Sequence, residues 1–292
     1  MKYTIGIDLG ATNIKSALIN LNGKILKKNE MPTEAEKGAK KVIENIISSI
    51  EKVKSGKING IGIGSPGPLD CKKGVILNPV NLPFRNVPLK KILQKKFQIK
   101  VFFDNDTNCF ALGEAIFGQG KKYENVLGIT LGTGIGAGLV INKKIYHGRN
   151  NAAELGHATI KYDGIKSNCG NNGCIEEYIS ARGIKALFNN KNIEPYSIYN
   201  LAKKGNKKAI MAFKKMGYYL GIALANTIYA FDPDIIIIGG KISNSWEFFS
   251  ESMERTVKEK YFAKPCKIVK SKLKDAGILG AGALIQNEDS AH

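Results

Sequence analysis

The apolar run Val101, Phe102, Phe103 ends in Asp104, Asn105 and Asp106 and passes straight into a helical pattern, NDTNCFALGEAIFG. Two carboxylates and an amide at the end of a strand and the start of a helix stand where α/β proteins bind ligands. A carboxylate there can take a proton from a hydroxyl. Asn105 or Asp106 can equally be a helix cap. Upstream, DLGATNIK places Asp8 at a strand end, followed by Gly10, Ala11, Thr12, Asn13 and Lys15. The backbone N–H groups of such a glycine turn bind anions, and Asp8 can orient a hydrated Mg2+. Strand–glycine–strand is also an ordinary hairpin.

A second glycine run, LGTGIGAGL, contains Gly132, Thr133, Gly134, Gly136 and Gly138. The dinucleotide fingerprint needs a helix after its glycines. Here GLVINKKIYHG follows, which reads as strand, so this is a second β-turn. IIIIGGK sets Gly239 and Gly240 behind a buried strand, where a flat ring can approach closely. No G-x-x-x-x-G-K-[ST] loop is present. In GHATIKYDGIKSNCGNNGCIEEY, His157, Cys169 and Cys174 share a loop of Gly and Asn. The spacing is not the C-x-x-C of a redox pair. A metal site and a metal-free loop held by glycine turns both remain open.

The elements that would carry these residues come in two rounds. Residues 3–9, 13–20 and 24–31 read as strands. A helix is predicted over 34–54, where Val42, Ile43, Ile46, Ile47, Ile50 and Val53 make one apolar face. A strand at 58–68 breaks into a Gly/Pro turn, a short helix covers 87–98, a strand 99–106 and a helix 105–118. A second β series starts near 125, followed by a long helix at 206–231 and a strand at 232–240. A small-residue helix, DAGILGAGAL, is able to pack tightly against another element. Two α/β domains with a cleft between them follow. The expected division is 1–109, with the terminal helix 276–292 packing back onto it, and 110–275.

Composition is that of a globular protein, 43% hydrophobic and 24% charged over 292 residues. No apolar run approaches the ~20 residues of a membrane span. The N-terminus reads as a strand with an Asp in it rather than a signal core, so a cytoplasmic protein with reduced cysteines is expected. The formal charge of +19 comes from 40 Lys and only 4 Arg. Arginine is the residue that reads phosphate and guanine with a planar fork. Lysine scattered over helix faces fits a solvated basic surface, and no nucleic-acid partner is expected.

IGIDLGATNIK, GIGSPGPLD, NDTNCFALGE, LGTGIGAGL, AAELGH, CGNNGCIEE and DPDIIIIGG occur in the order found in the ROK family, and the chain resembles that family over essentially its whole length. The resemblance implies a two-domain actin-like ATPase (ribonuclease H-like) fold and ATP-dependent phosphorylation of a hexose, glucose foremost. N-acetylmannosamine, N-acetylglucosamine and fructose are the alternatives. The family also contains sugar-responsive repressors, which add a helix-turn-helix. This chain starts at the first strand, so that role is not expected.

The same resemblance implies roles at matching positions. Asp8, Gly10, Ala11, Thr12, Asn13 and Lys15 match the first phosphate and Mg2+ site, with Ala11 where the family usually has Gly. Gly132, Thr133, Gly134, Gly136 and Gly138 match the second phosphate loop, and Gly239 and Gly240 the adenosine side. Asn105 matches a sugar contact and Asp106 the catalytic base. Glu154, His157 and Glu176 match further sugar contacts, and Ser65 and Gly67 lie in a loop over the sugar. His157, Cys169 and Cys174 match three ligands of a structural zinc, with Ser167 in place of the fourth. Three ligands are one short of a closed site; a zinc held by these three with a further ligand is the expectation. A homodimer is implied as well.

Overall fold

A computed structural model describes residues 3–288. Two compact units emerge, the first drawn from Met1–Gly128, Gly138–Ala152 and Lys272–His292, the second from Ile129–Ala137 and Ala153–Ser271.

In the first unit β1 (Tyr3–Leu9), β2 (Asn13–Asn20) and β3 (Ile25–Pro32) form an antiparallel meander. Helix α1 (Ala39–Val53) then returns the chain to β4 (Ile58–Ser65), parallel to β1. A small hairpin of β5 (Leu69–Asp70) and β6 (Val75–Ile76) leads to α2 (Leu89–Phe97), to β7 (Val101–Asn105), which runs parallel to β4, and to α3 (Asp106–Phe117). The sheet order is β3-β2-β1-β4-β7.

Strand alternation sends Ile5, Ile7, Leu9, Ile61 and Ile63 into one core with Val42, Ile46, Ile50 and Val53 of α1 and Leu89 and Leu93 of α2. The helix expected over 34–54 begins only at Ala39. Glu34 (φ 54°) and Gly38 (φ 89°) are left-handed, and a separate 3-10 turn occupies Ala35–Lys37 between them.

The opposite face of this sheet carries Thr4, Gly6 and Gly62, and it is covered by α9 (Ala276–Glu288). A Cβ at Gly62 would fall 1.7 Å from the Ala281 carbonyl oxygen, and one at Gly280 1.7 Å from that of Cys109 on α3. Helix backbone therefore rests directly on strand and helix backbone, which only glycine permits. This contact sets the division of the chain. Helix α3 stays with the first unit because it packs on α9, so the unit extends past residue 109. Residues 289–292 of the expected terminal helix lie outside the described residues.

The second sheet has the order β10-β9-β8-β11-β12. Strands β8 (Val126–Leu131) and β9 (Ile135–Ile141) each cross the division in the chain, and β10 (Lys144–Ile145) pairs with the far end of β9. The second unit continues with α4 (Glu176–Ile179), α5 (Ala181–Leu187), α6 (Pro195–Lys203) and the long α7 (Lys207–Phe231). It closes with β11 (Ile235–Gly239), α8 (Trp246–Lys260) and β12 (Lys267–Lys270), β11 and β12 being parallel. Pro195 starts α6, where its missing N–H costs nothing. All five residues of β11 are buried. Among the described residues no helix is long and apolar enough to cross a membrane.

Candidate active site

In the first unit the β7–α3 turn decides which residue caps the helix. Asn105 is the N-cap, in extended conformation, and its Oδ1 accepts from the backbone N–H of Thr107 (2.8 Å) and Asn108 (3.4 Å). Asp106 is the first helical residue, one position beyond the cap. Its Oδ1 accepts from Thr107 N–H at 2.8 Å. Burial pushes the Asp106 carboxyl above the ordinary 3.8, against the opposing pull of the Thr107 backbone and hydroxyl donors. With Oδ1 of Asn105 spent on the cap, its Nδ2 is left toward Gly67, 3.8 Å from where a Cβ there would be. Ser65 stands across from Asn105 in the parallel β4–β7 register and is fully buried.

Asp8 closes β1 opposite Lys15 on β2. Its carboxyl is also raised above 3.8, by burial first and then by the Asp106 charge, with Lys15 opposing. A carboxyl raised by a neighbouring carboxylate stands in negative potential, which suits a cation. The turn between the strands is pinned. Gly10 N–H donates to Asn13 O at 3.0 Å, Thr33 Oγ1 donates to Gly10 O at 2.7 Å, and Thr33 N–H donates to Thr12 O at 2.8 Å. Asn13 Nδ2 reaches Glu30 Oε1 at 2.9 Å. Ala11 and Thr12 are exposed at its tip.

In the second unit Gly132, Thr133 and Gly134 form the turn between β8 and β9, closed by Gly132 N–H to Gly134 O at 2.9 Å and Ala181 N–H to Gly132 O at 3.0 Å. Gly136 and Gly138 are strand residues of β9, not part of the turn. Gly138 belongs to the first unit, where a Cβ would meet Thr107 O on α3 at 2.8 Å; its glycine is explained by packing. Glu176, at the start of α4, accepts from Ile135 N–H at 3.3 Å and lies 3.4 Å from Arg182 Nη2. Glu154 precedes a 3-10 turn that His157 ends, and both are exposed. Ala153, directly before Glu154, is buried with φ 63°, a strained conformation for a residue with a Cβ. Gly240, after β11, has φ 85°, and a Cβ would fall 2.2 Å from Leu131 O.

The cysteine loop departs from the zinc expectation. Cys174 is buried and its thiol reaches the backbone oxygen of His157 at 3.5 Å; Cys169 is exposed, with the two Sγ atoms 3.4 Å apart. Ser167 is buried beside them. Among the described residues no group of three or more His, Cys, Asp or Glu is arranged to hold a metal ion. The His157 ring lies beside Cys169, but one imidazole and two thiols, with a serine hydroxyl in the fourth place, are one ligand short of a closed structural site, so the residues do not fit a resident zinc. The loop is held by backbone instead. Thr159 bridges Cys174, Lys166 bridges Asn172, and Gly170 and Gly173 turn the chain at φ 93° and 65°. The Asn171 N–H, the Ser167 hydroxyl and Cys174 together pull the Cys169 thiol down to about 7.

One feature was not legible in the sequence. His147, after β10, pairs its Nε2 with Asp104 Oδ2 at 2.7 Å. The partners are 43 residues apart, and no local pattern joins them.

A sequence profile of the ROK family matches residues 4–288. A glucokinase of Thermotoga maritima is 35% identical, covering 97% of this chain and 96% of its own. A xylose repressor of Caldicellulosiruptor bescii is 34% identical over 96% of this chain and 77% of its own. The crystal structure of a ROK family glucokinase from Streptomyces griseus, in complex with glucose and AMPPNP, superposes with a TM-score of 0.81 at 29% identity, covering 97% of this chain and 98% of that one.

Proposed function

We propose that this chain, which belongs to the ROK family, transfers the γ-phosphoryl group of ATP to a hydroxyl of a hexose, with glucose as the first candidate. The observation that carries the reading is the β7–α3 turn. Asn105 takes the cap, so Asp106 presents a half-buried carboxylate of raised proton affinity one residue into the helix. The relatives named glucokinase support the hexose and the nucleotide.

In the reaction the sugar hydroxyl oxygen bonds to the γ-phosphorus as its proton passes to Asp106, and the bond to the β–γ bridging oxygen breaks, releasing ADP. Positioning and charge neutralisation supply most of the rate. The Gly10–Asn13 and Gly132–Gly134 turns suit phosphate oxygens, and the left-handed turn at Gly240, packed on the Leu131 backbone, is assigned to the adenosine side. Asp8, crowded by Asp106 and faced by Lys15, would hold a hydrated Mg2+ carried in with ATP, which neutralises phosphate charge. Asn105 Nδ2, Glu154, His157 and Glu176 can donate to or accept from sugar hydroxyls.

A coupled ADP-release assay over glucose, fructose, N-acetylglucosamine and N-acetylmannosamine tests the reading. Glucose is expected to give the highest kcat/KM. Turnover with none of the four removes the kinase assignment. A homodimer in the cytoplasm completes the picture. All five cysteines are free thiols, which fits a reducing compartment, and sedimentation velocity measures the assembly.

A further inference from the structure

Asp104 has no part in the chemistry above, yet it is among the most completely coordinated acids of the first unit. Its side chain is only 4% exposed. Oδ1 accepts from Asn105 N–H at 2.7 Å and Asn108 Nδ2 at 2.8 Å, with Cys71 Sγ at 3.9 Å; Oδ2 meets His147 Nε2 at 2.7 Å. The donors come from four segments: β7 itself, α3, the β5–β6 turn and the chain after β10. A carboxylate is buried at tolerable cost only when its lone pairs are filled in this way.

One of those donors, the Asn105 N–H, belongs to the residue directly before the base. The bond to Asn105 N–H fixes the peptide through which the chain leaves β7, and so the direction of the Asn105 cap and of Asp106 behind it. On its other side His147 accepts through its carbonyl from Asn150 N–H (2.8 Å) and Ala152 N–H (3.2 Å), closing the turn that precedes Glu154 in the chain. One imidazole thus ties the end of β7 to that turn.

Building on the kinase reading, we infer that Asp104 and His147 are positioning residues for phosphoryl transfer: their ion pair holds the Asn105–Asp106 turn in its reactive geometry. The charged groups acting on the ring are Asp104 from β7 and Lys72 from the β5–β6 turn; Cys71 and the neutral Asn108 stand against Asp104 instead. The hydrogen bond to Asp104 raises the His147 proton affinity above the ordinary 6.5, against burial and Lys72. The thiols beside Asp104 do not compete for negative charge, since burial and the same carboxylate push Cys71 up to about 12 and Cys109 well above its usual range. A group of raised folded pKa holds its pair at low pH and loses it as pH rises through that value. Above it, the charge-assisted bond falls to a neutral N–H donor, roughly half as strong. The rate therefore declines on the alkaline side through His147, separately from the acid-side decline through Asp106.

Two measurements on the full chain test this. The first is an NMR titration of the histidine rings, of which there are three, assigned with His147→Gln. His147 is expected to titrate above 6.5 in the wild type and to fall in Asp104→Asn. An ordinary value unmoved by that substitution overturns the pair. The second is steady-state kinetics against pH. His147→Ala and Asp104→Asn should each lower kcat/KM for the hexose on the order of 10–100-fold, with KM for ATP little changed. The double variant should be no worse than the poorer single. His147→Gln, which keeps a neutral donor at the same place, should run at every pH near the lower rate that the wild type reaches on the alkaline side, above His147→Ala, and show no alkaline decline of its own. Wild-type kcat/KM in a folded His147→Ala protein overturns the positioning role. A wild-type protein inactive on every hexose overturns the kinase reading and the positioning role with it, while the NMR titration still decides the pair.

Discussion

Asp106 and Cys169 each end a short turn and carry a side chain of shifted proton affinity, but they are shifted by opposite physics. Asp106 lies where a buried strand meets a helix, and burial drives its carboxyl up. Cys169 lies on an exposed loop, and hydrogen-bond donors from Asn171 and Ser167 draw its thiol down to about 7. The first is positioned by elements that pack a core, so its geometry is over-determined by strand register, cap and the Asp104 network. The second is exposed at the tip of a loop set by two left-handed glycines and a few bridges, with no metal-holding group among the described residues. A site that must hold a reacting atom to a fraction of an ångström belongs on the first kind of support.

The sharpest way to break this contrast is Asp106→Ala. Loss of a general base should lower kcat by about 10²–10⁴-fold with the fold intact by circular dichroism and hexose affinity changed far less. A variant that keeps more than about a tenth of the wild-type rate makes Asp106 a structural residue.

Next in size is Gly173→Ala in the loop. The backbone is left-handed there, and a Cβ would fall 1.7 Å from Lys161 O. A cost of about 1–3 kcal/mol is expected, read as a lower Tm. An unchanged melting curve means that the glycine turns do not hold the loop.

Asp106→Asn probes the other side. A carboxyl whose folded pKa is raised contributes stability below its unfolded pKa and loses it as pH rises through the folded value. At neutral pH the buried charge is therefore a burden, and Asp106→Asn should melt higher than wild type at pH 7 with the advantage vanishing in acid. For the same reason wild-type kcat should fall with decreasing pH around a value above 3.8. A lower Tm for the amide at pH 7 contradicts the desolvation account.

The smallest effect concerns zinc. Ser167→Cys completes a His-Cys₃ set with His157, Cys169 and Cys174 and should raise bound zinc toward one per chain, with a modest gain in Tm, while wild-type protein holds clearly less. Stoichiometric zinc in wild-type protein purified without chelator would show that Ser167 does not open the site.

What was legible in the sequence follows the range of the forces involved. The apolar spacing of α1, the β-turn at Asp8 and the acids ending β7 are local patterns, and the structure carries each of them. Patterns alone could not separate the glycines that line a turn from Gly138, which is glycine because α3 passes behind it. Nor could they say whether Asn105 or Asp106 caps α3, since both residues are good caps and only the backbone angle decides. The helix predicted from residue 34 lost its first turn to Glu34 and Gly38, whose left-handed angles have no periodic signature. The Asp104–His147 pair depends on bringing β7 beside the segment after β10, a matter of topology rather than of spacing.

Helix α9 has a consequence for how the molecule is made. Its backbone rests on glycines of β1 and β4, among the earliest strands to leave the ribosome, yet every residue of the second unit is translated before it. Until then the sheet that carries Asp8 and Asp106 has one face without its cover. The second unit, by contrast, has all its residues available by Ser271 and can close its core first. The nascent chain thus reaches Asp8 and Asp106 early and the helix that firms the sheet beneath them last, so a polypeptide released before α9 presents all the signature residues on a scaffold that has not yet set.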